Sequence, residues 1–189
     1  MAAVLPWEYR ELAKSVHYPA MSREFREFAV ERATAIGRAA AERVLAACGP
    51  VNGSTELLNA IKASGAQVSI DEAAAASDRL AEYDERQRLI TCYAKTIDRC
   101  EAAMPAGRHP PLRLLCLAHE LFHHLEAVEI GKVSEQVKFP QKICGFVFRR
   151  PVEAAREIAA HAFVMRLLRL AGPPAAIIDF PPSENLSGR

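Results

Sequence analysis

Neither sign of charge dominates this chain. Its 24 Lys and Arg stand against 23 Asp and Glu, a formal net charge of +1 over 189 residues. That balance argues against a general nucleic-acid binder and against a membrane-surface protein, which need a basic excess. No stretch is long and apolar enough to span a bilayer. Cysteine is sparse: the five are odd in number and form no CxxC pair, so a disulfide framework is excluded and a reducing compartment expected. Residues Met1–Arg10 hold no apolar run and meet Glu8 and Arg10 early, which does not read as a signal peptide. These absences predict a cytoplasmic protein with no direct nucleic-acid contact and no membrane partner. No internal repeat is visible. Half of the residues are apolar, and a chain of this length can bury a substantial core.

Four of the six histidines fall at positions 119, 123, 124 and 161. The first three lie in Leu117-Ala118-His119-Glu120-Leu121-Phe122-His123-His124, an HExxH pattern inside an apolar, helix-length segment. Two histidines four apart lie on one side of a helix, about 40° apart around its axis, so their imidazoles can converge on one ion. Glu120 projects beside them, placed to take a proton from water without being a ligand. This is the working part of a zinc hydrolase. Leu112, Leu114, Leu115, Cys116, Leu117, Ala118, Leu121, Phe122 and Leu125 predict that most of this helix is buried, and a cation would compensate the desolvation of its polar groups.

A tetrahedral zinc with an open position needs a third protein ligand. Glu126 and Glu129 stand where a metzincin would have Gly and a ligand, and a continuing helix carries Glu129 away. The better source is downstream, where Pro151 suits a helix start and Gly172 with two prolines marks its end. On that helix Glu153, Glu157 and His161 recur at four-residue steps on one face, and Ala160, Phe163, Val164, Leu167 and Leu168 are expected to press it against the HExxH helix. Periodicity alone leaves both Glu153 and Glu157 open.

The two segments together resemble the ImmA/IrrE-type zinc metallopeptidases, HExxH gluzincins whose second motif reads like E-x-x-A-[ND]-x-F-A-x-x-L-L. Glu157, Ala160, Phe163, Leu167 and Leu168 match that spacing, over a resemblance covering roughly residues 66 to 172. It implies that His119, His123 and Glu157 hold one Zn²⁺, that Glu120 is the catalytic base, and that His161 takes the Asn/Asp place that usually orients a ligand from behind. It also implies a regulatory protease whose protein substrate is a transcriptional repressor. The chain departs from the pattern at Phe122 (for Gly), Val164 (for Ala) and Arg169 (for Met). With His161 in the Asn/Asp place, support of a ligand, metal binding and donation to an oxyanion all stay open.

Other polar residues near the motif carry less. His124 reads as solvated or substrate-facing, and Glu126 as a hydrogen-bond acceptor for an imidazole or a surface carboxylate. Cys116 is within reach of the site, though packing is its ordinary role. His161, His124 and Tyr83 are candidate oxyanion donors.

The expected fold class is α+β and zincin-like: a small, mostly antiparallel sheet on an HExxH helix and a glutamate helix, with extra N-terminal helices. Residues 1–65 read as a helical region and 66–189 as the metallopeptidase core with a C-terminal tail, together one compact domain. A helix is predicted from Ser22 to Cys48, with Phe25, Phe28, Ala29, Ile36, Ala40 and Val44 as its apolar stripe. A short helix capped by Ser54 or Thr55 should close near Gly65. Strands are predicted at 66–70, 80–83 and 89–93, a connecting helix over 97–104, and a loop over 105–111. Residues 131–149 should form a loop or hairpin over the cleft, and the tail should dock through Ile177, Ile178 and Phe180. The function expected is zinc-dependent hydrolysis of a peptide bond. The alternatives are a zinc-binding interaction protein with little chemistry and, third, hydrolysis of a non-peptide amide.

Overall fold

A computed structural model describes residues 6–73, 79–104 and 110–172. Within them the chain is a mixed α+β structure of seven α-helices, a three-stranded sheet and a two-stranded hairpin. Most of loop 105–111 and the tail beyond Gly172, with Ile177, Ile178 and Phe180, lie outside the described residues. Among the described residues no helix is long and apolar enough to cross a membrane.

Helix α1 (Trp7–Leu12) leads through a 3-10 turn to α2 (Arg23–Cys48), which begins and ends where the punctuation places it. The Phe25 amide donates to Ser22 Oγ at 3.2 Å, and Gly49 closes the helix at φ 79°. The buried face follows the expected stripe only in part: Ala29 and Ala40 are buried and Phe25, Ile36 and Val44 pack against the core, but its centre is made of small residues. Ala29, Ala33, Gly37, Ala40 and Ala41 are covered, whereas Phe28 is 49% exposed. Small residues win because this face meets a helix backbone at close range: a Cβ on Gly37 would sit 2.0 Å from the Ala159 carbonyl oxygen.

Helix α3 (Ser54–Ala63) starts on Ser54 itself, with Gly53 in the capping place and no side-chain cap. Three strands follow, β1 (Gln67–Asp71), β2 (Ala81–Asp84) and β3 (Leu89–Tyr93). β2 and β3 form a hairpin whose turn is held by Asp84 Oδ1, which accepts from the Arg86 and Gln87 amides. The order is β1-β3-β2, and β1 pairs with β3 in parallel. The sheet is therefore mixed rather than mostly antiparallel, because the β2–β3 hairpin places β3 in the middle, running alongside β1. β2 is left as an edge.

Helix α4 (Ala94–Ala103) precedes α5 (Leu112–Leu125), whose first amide donates to the Glu101 carboxylate. A π-helical turn over Glu126–Ile130 continues α5, and a short α6 (Val133–Gln136) follows. Strands β4 (Lys138–Ile143) and β5 (Phe146–Pro151) then form an antiparallel hairpin. This hairpin is not a lid. Phe139 packs against Phe25 of α2 and His17, with ring centroids 5.3 and 5.9 Å away. Pro151 ends β5 instead of opening a helix, and α7 (Ala154–Leu167) starts after Glu153.

One core cluster runs through both regions of the chain, from Leu12, Ala33 and Leu57 to Leu115, Phe122 and Phe163. Phe122 is fully buried with its ring 5.6 Å from that of Phe163. Helix α7 is thus held between α2 and α5.

Candidate metal centre

Helix α5 presents His119 and His123 one turn apart, and α7 brings Glu157 to them. His119 Nε2 lies 3.2 Å from Glu157 Oε2, His123 Nε2 lies 3.6 Å from Glu157 Oε1, and the two Nε2 atoms are 3.1 Å apart. These three side chains form a group that could hold a metal ion. The spacings can be tested against the ion expected from the sequence. A tetrahedron with bonds of about 2.0–2.1 Å has edges of about 3.3–3.4 Å; the separation of the two Nε2 atoms and the two contacts to Glu157, which are made to different carboxylate oxygens, lie near that value. Glu153, the rival ligand, is exposed ahead of α7 and lies outside the group. Glu129, in the π turn, is exposed and lines a separate groove.

Behind His123 lies Glu126, 1% exposed. Its carboxylate is 3.3 Å from His123 Nδ1, accepts the Val133 amide at 2.8 Å, and receives Arg156 Nε at 2.9 and 3.0 Å. Arg156 Nη2 adds an ion pair at 2.8 Å. Burial alone would push this carboxyl up, but the bonds from His123, Arg156 and the Val133 amide outweigh it and hold it at about 2. An ionised carboxylate only accepts, so His123 Nδ1–H donates to Glu126, and Nε2 is the ring nitrogen turned toward Glu157 and His119. Of the two readings the sequence allowed for Glu126, the imidazole partner is the one observed.

Behind His119 the surroundings differ. Its Nδ1 is buried and has no hydrogen-bond partner among the described residues, and the same is true of His161 Nδ1. The two rings lie 5.3 Å apart, and Trp7 packs edge-on against His161 at 5.4 Å. Burial, then the positive charge available to His119, pushes the His161 imidazole down to about 3, so it stays neutral. His119 moves the other way: burial works against its protonation, but the hydrogen bond to Glu157 raises it. Burial likewise opposes ionisation of Glu157, yet the two imidazoles hold its carboxyl well below the ordinary range.

His124 corrects the expectation of a solvated residue. It is fully buried. Its Nε2 is 2.9 Å from the Ser64 carbonyl oxygen and its Nδ1 2.9 Å from Tyr83 Oη. A carbonyl can only accept, so Nε2–H donates to Ser64 and the Tyr83 hydroxyl donates to Nδ1. One residue on from His123, the helix has turned this side chain into the joint between α5, α3 and β2. With both groups committed, neither His124 nor Tyr83 is free to serve an oxyanion. Cys116 is buried, with its thiol pushed well up by burial. It also touches the second of the clefts described next.

Two clefts meet on the His/Glu group. One, about 690 Å³, runs past Glu82, Tyr83, Lys132 and Arg156. The other, about 280 Å³, runs past Glu11, Lys14, Cys116 and His161. They share Arg79, Ala81, His119, Glu120 and Glu157, so β2 lies along the junction. The hairpin β4–β5 lines neither; from residues 131–149 only Gly131 and Lys132 reach the larger cleft. Sequence reasoning missed Glu11 and Lys14, which carry no local signal, and Arg156. A charge beside Glu157 on an otherwise buried helix was a signal for Arg156. Comparison with protein-family models, curated proteins and solved structures returned no match for this chain.

Proposed function

We propose that this chain is a zinc-dependent metallopeptidase of zincin-like fold, with His119, His123 and Glu157 as ligands. The observation that carries the reading is the convergence of two imidazole nitrogens and a carboxylate at 3.1–3.6 Å, with Glu120 beside them in both clefts. A zinc ion held there would lower the pKa of water toward about 7 and polarise a substrate carbonyl. Glu120 takes the proton of the attacking water as its oxygen bonds to the carbonyl carbon. It returns that proton to the nitrogen as the C–N bond breaks. The edge strand β2 offers main-chain groups to an extended peptide laid along the groove, which favours a peptide over a small amide. The motif resemblance extends the proposal to a cytoplasmic regulatory protease acting on a repressor. That step rests on analogy of motif.

The test is metal content and peptide hydrolysis of the purified protein beside Glu120→Gln. The expected outcome is about one zinc per chain in both, with hydrolysis in the wild type only. Wild type that takes up no zinc when supplied would overturn the reading. Zinc without hydrolysis, against a panel of unfolded and helix-turn-helix substrates, would favour a zinc-binding interaction protein.

A further inference from the structure

The geometry points to a positioning pair: Glu126 and Arg156 together act as a strut that fixes the His123 imidazole and sets its distance from Glu157. The inference rests on the metal-centre reading above and adds residues that coordinate nothing themselves.

Glu126 stands where α5 gives way to the π turn, and the Gly131 amide reaches back five residues to its carbonyl. Its side chain points into the protein. A buried carboxylate is costly unless its lone pairs are filled, and here donors come from three directions: the imidazole, a backbone amide, and a guanidinium whose Nε and Nη2 both engage it. Such a group has no freedom to turn away. It accepts from Nδ1 and so aims Nε2 at the donor group, and the orientation of a ligating histidine follows from what holds its other nitrogen.

Arg156 gives the pair its second function. It immediately precedes Glu157 on α7, so the guanidinium that grips Glu126 and the carboxylate that faces His123 leave the backbone one residue apart. His123, Glu126, Arg156 and Glu157 therefore close a ring between α5 and α7. Loosening Arg156 would free the spacing between helices, and neutralising Glu126 would free the imidazole. A lysine keeps the charge at 156 but cannot grip through two nitrogens. The Val133 amide ties the start of α6, next to the cleft residue Lys132, to the same carboxylate.

The experiment is zinc affinity by chelator competition on the full chain, for wild type, Glu126→Gln and Arg156→Lys. The visible absorption of each protein loaded with cobalt(II) is recorded in parallel, and far-UV circular dichroism checks folding. Glu126→Gln is expected to weaken zinc binding about 10–100-fold and to shift the cobalt bands. Arg156→Lys should shift both in the same direction by less. A purely structural ion pair would lower the melting temperature of both variants yet leave affinity and cobalt spectrum as in wild type, and that result overturns the inference while the metal centre stands. Should Glu126→Gln fail to fold, Arg156→Lys decides alone by the same two readouts. Wild type that binds neither ion removes the metal centre and this inference with it.

Discussion

His119 and His123 face one carboxylate from the same helix, yet what stands behind them differs. His123 leans on a buried, ionised Glu126 that Arg156 and a backbone amide saturate. His119 has a neutral imidazole for a neighbour, and neither ring's Nδ1 has a partner among the described residues. Two positions that the HExxH pattern treats as equivalent are thus supported unequally: one by a charged, satisfied network, the other by packing alone. A metal site needs its ligands aimed, and in the proposed site the support is concentrated on one side.

The strongest way to break the comparison is to remove what both histidines share. Glu157→Ala should weaken zinc binding by more than about 100-fold, beyond the loss usual for a supporting partner; chelator competition measures it. Retained affinity, with loss in Glu153→Ala instead, would move the third ligand back one helical turn.

Next comes acid. Glu126 sits at about 2 in the folded protein against an ordinary value of 4.5. Its folded value is depressed, so its contribution is present above about pH 4.5 and is lost as pH falls toward about 2, with a size of about 3 kcal/mol. His161 is depressed as well, from 6.5 to about 3, so the loss it causes begins higher, below about pH 6.5. Urea unfolding of the metal-free protein across pH 2–7 should therefore show the lower part of the decline flattened in Glu126→Gln. The upper part should flatten in His161→Leu. Identical profiles for all three proteins would remove the electrostatic side of the contrast.

A smaller effect is expected at the third histidine of the run. His124→Leu leaves the Ser64 carbonyl and the Tyr83 hydroxyl unpaired and should cost about 1–3 kcal/mol, with zinc affinity unchanged. A large loss of affinity would mean that the joint to β2 also shapes the centre.

The smallest effect belongs to His161→Leu. Replacing a buried imidazole whose Nδ1 has no partner among the described residues by an apolar side chain of similar size should leave stability at pH 7 unchanged or raise it by up to about 2 kcal/mol. Zinc affinity should stay within about threefold, well short of what loss of a supporting partner costs. A tenfold loss would show that His161 supports His119 after all and would even out the two sides.

Local chemistry was legible in the sequence where it repeats at helical spacing or is punctuated. HExxH named two of the residues that converge, the four-residue step offered Glu153 and Glu157 alike and only the motif resemblance chose Glu157, and Ser22 with Gly49 bounded a 26-residue helix. What could not be read depends on neighbours distant in the chain. Nothing near His124 tells of a carbonyl sixty residues earlier, and a hydrophobicity scan picks out Phe28 where close helix packing selects Gly37. The parallel pairing of β1 follows from the order in which strands dock. The fate of Glu126 turns on a π turn that local propensity does not announce, and on Arg156, thirty residues on.

The close approach at Gly37 bears on how this protein can be dissected. The backbone of α7 beside the Glu157 turn rests on α2 with no side chain between them at that point. A fragment cut near residue 65 would keep every residue of the candidate metal group and lose the surface that α7 lies on, uncovering the α7 backbone around Ala159. The first 65 residues are therefore better treated as the floor of the candidate metal centre than as an appendage, and a minimal fragment that keeps it has to be sought by trimming elsewhere.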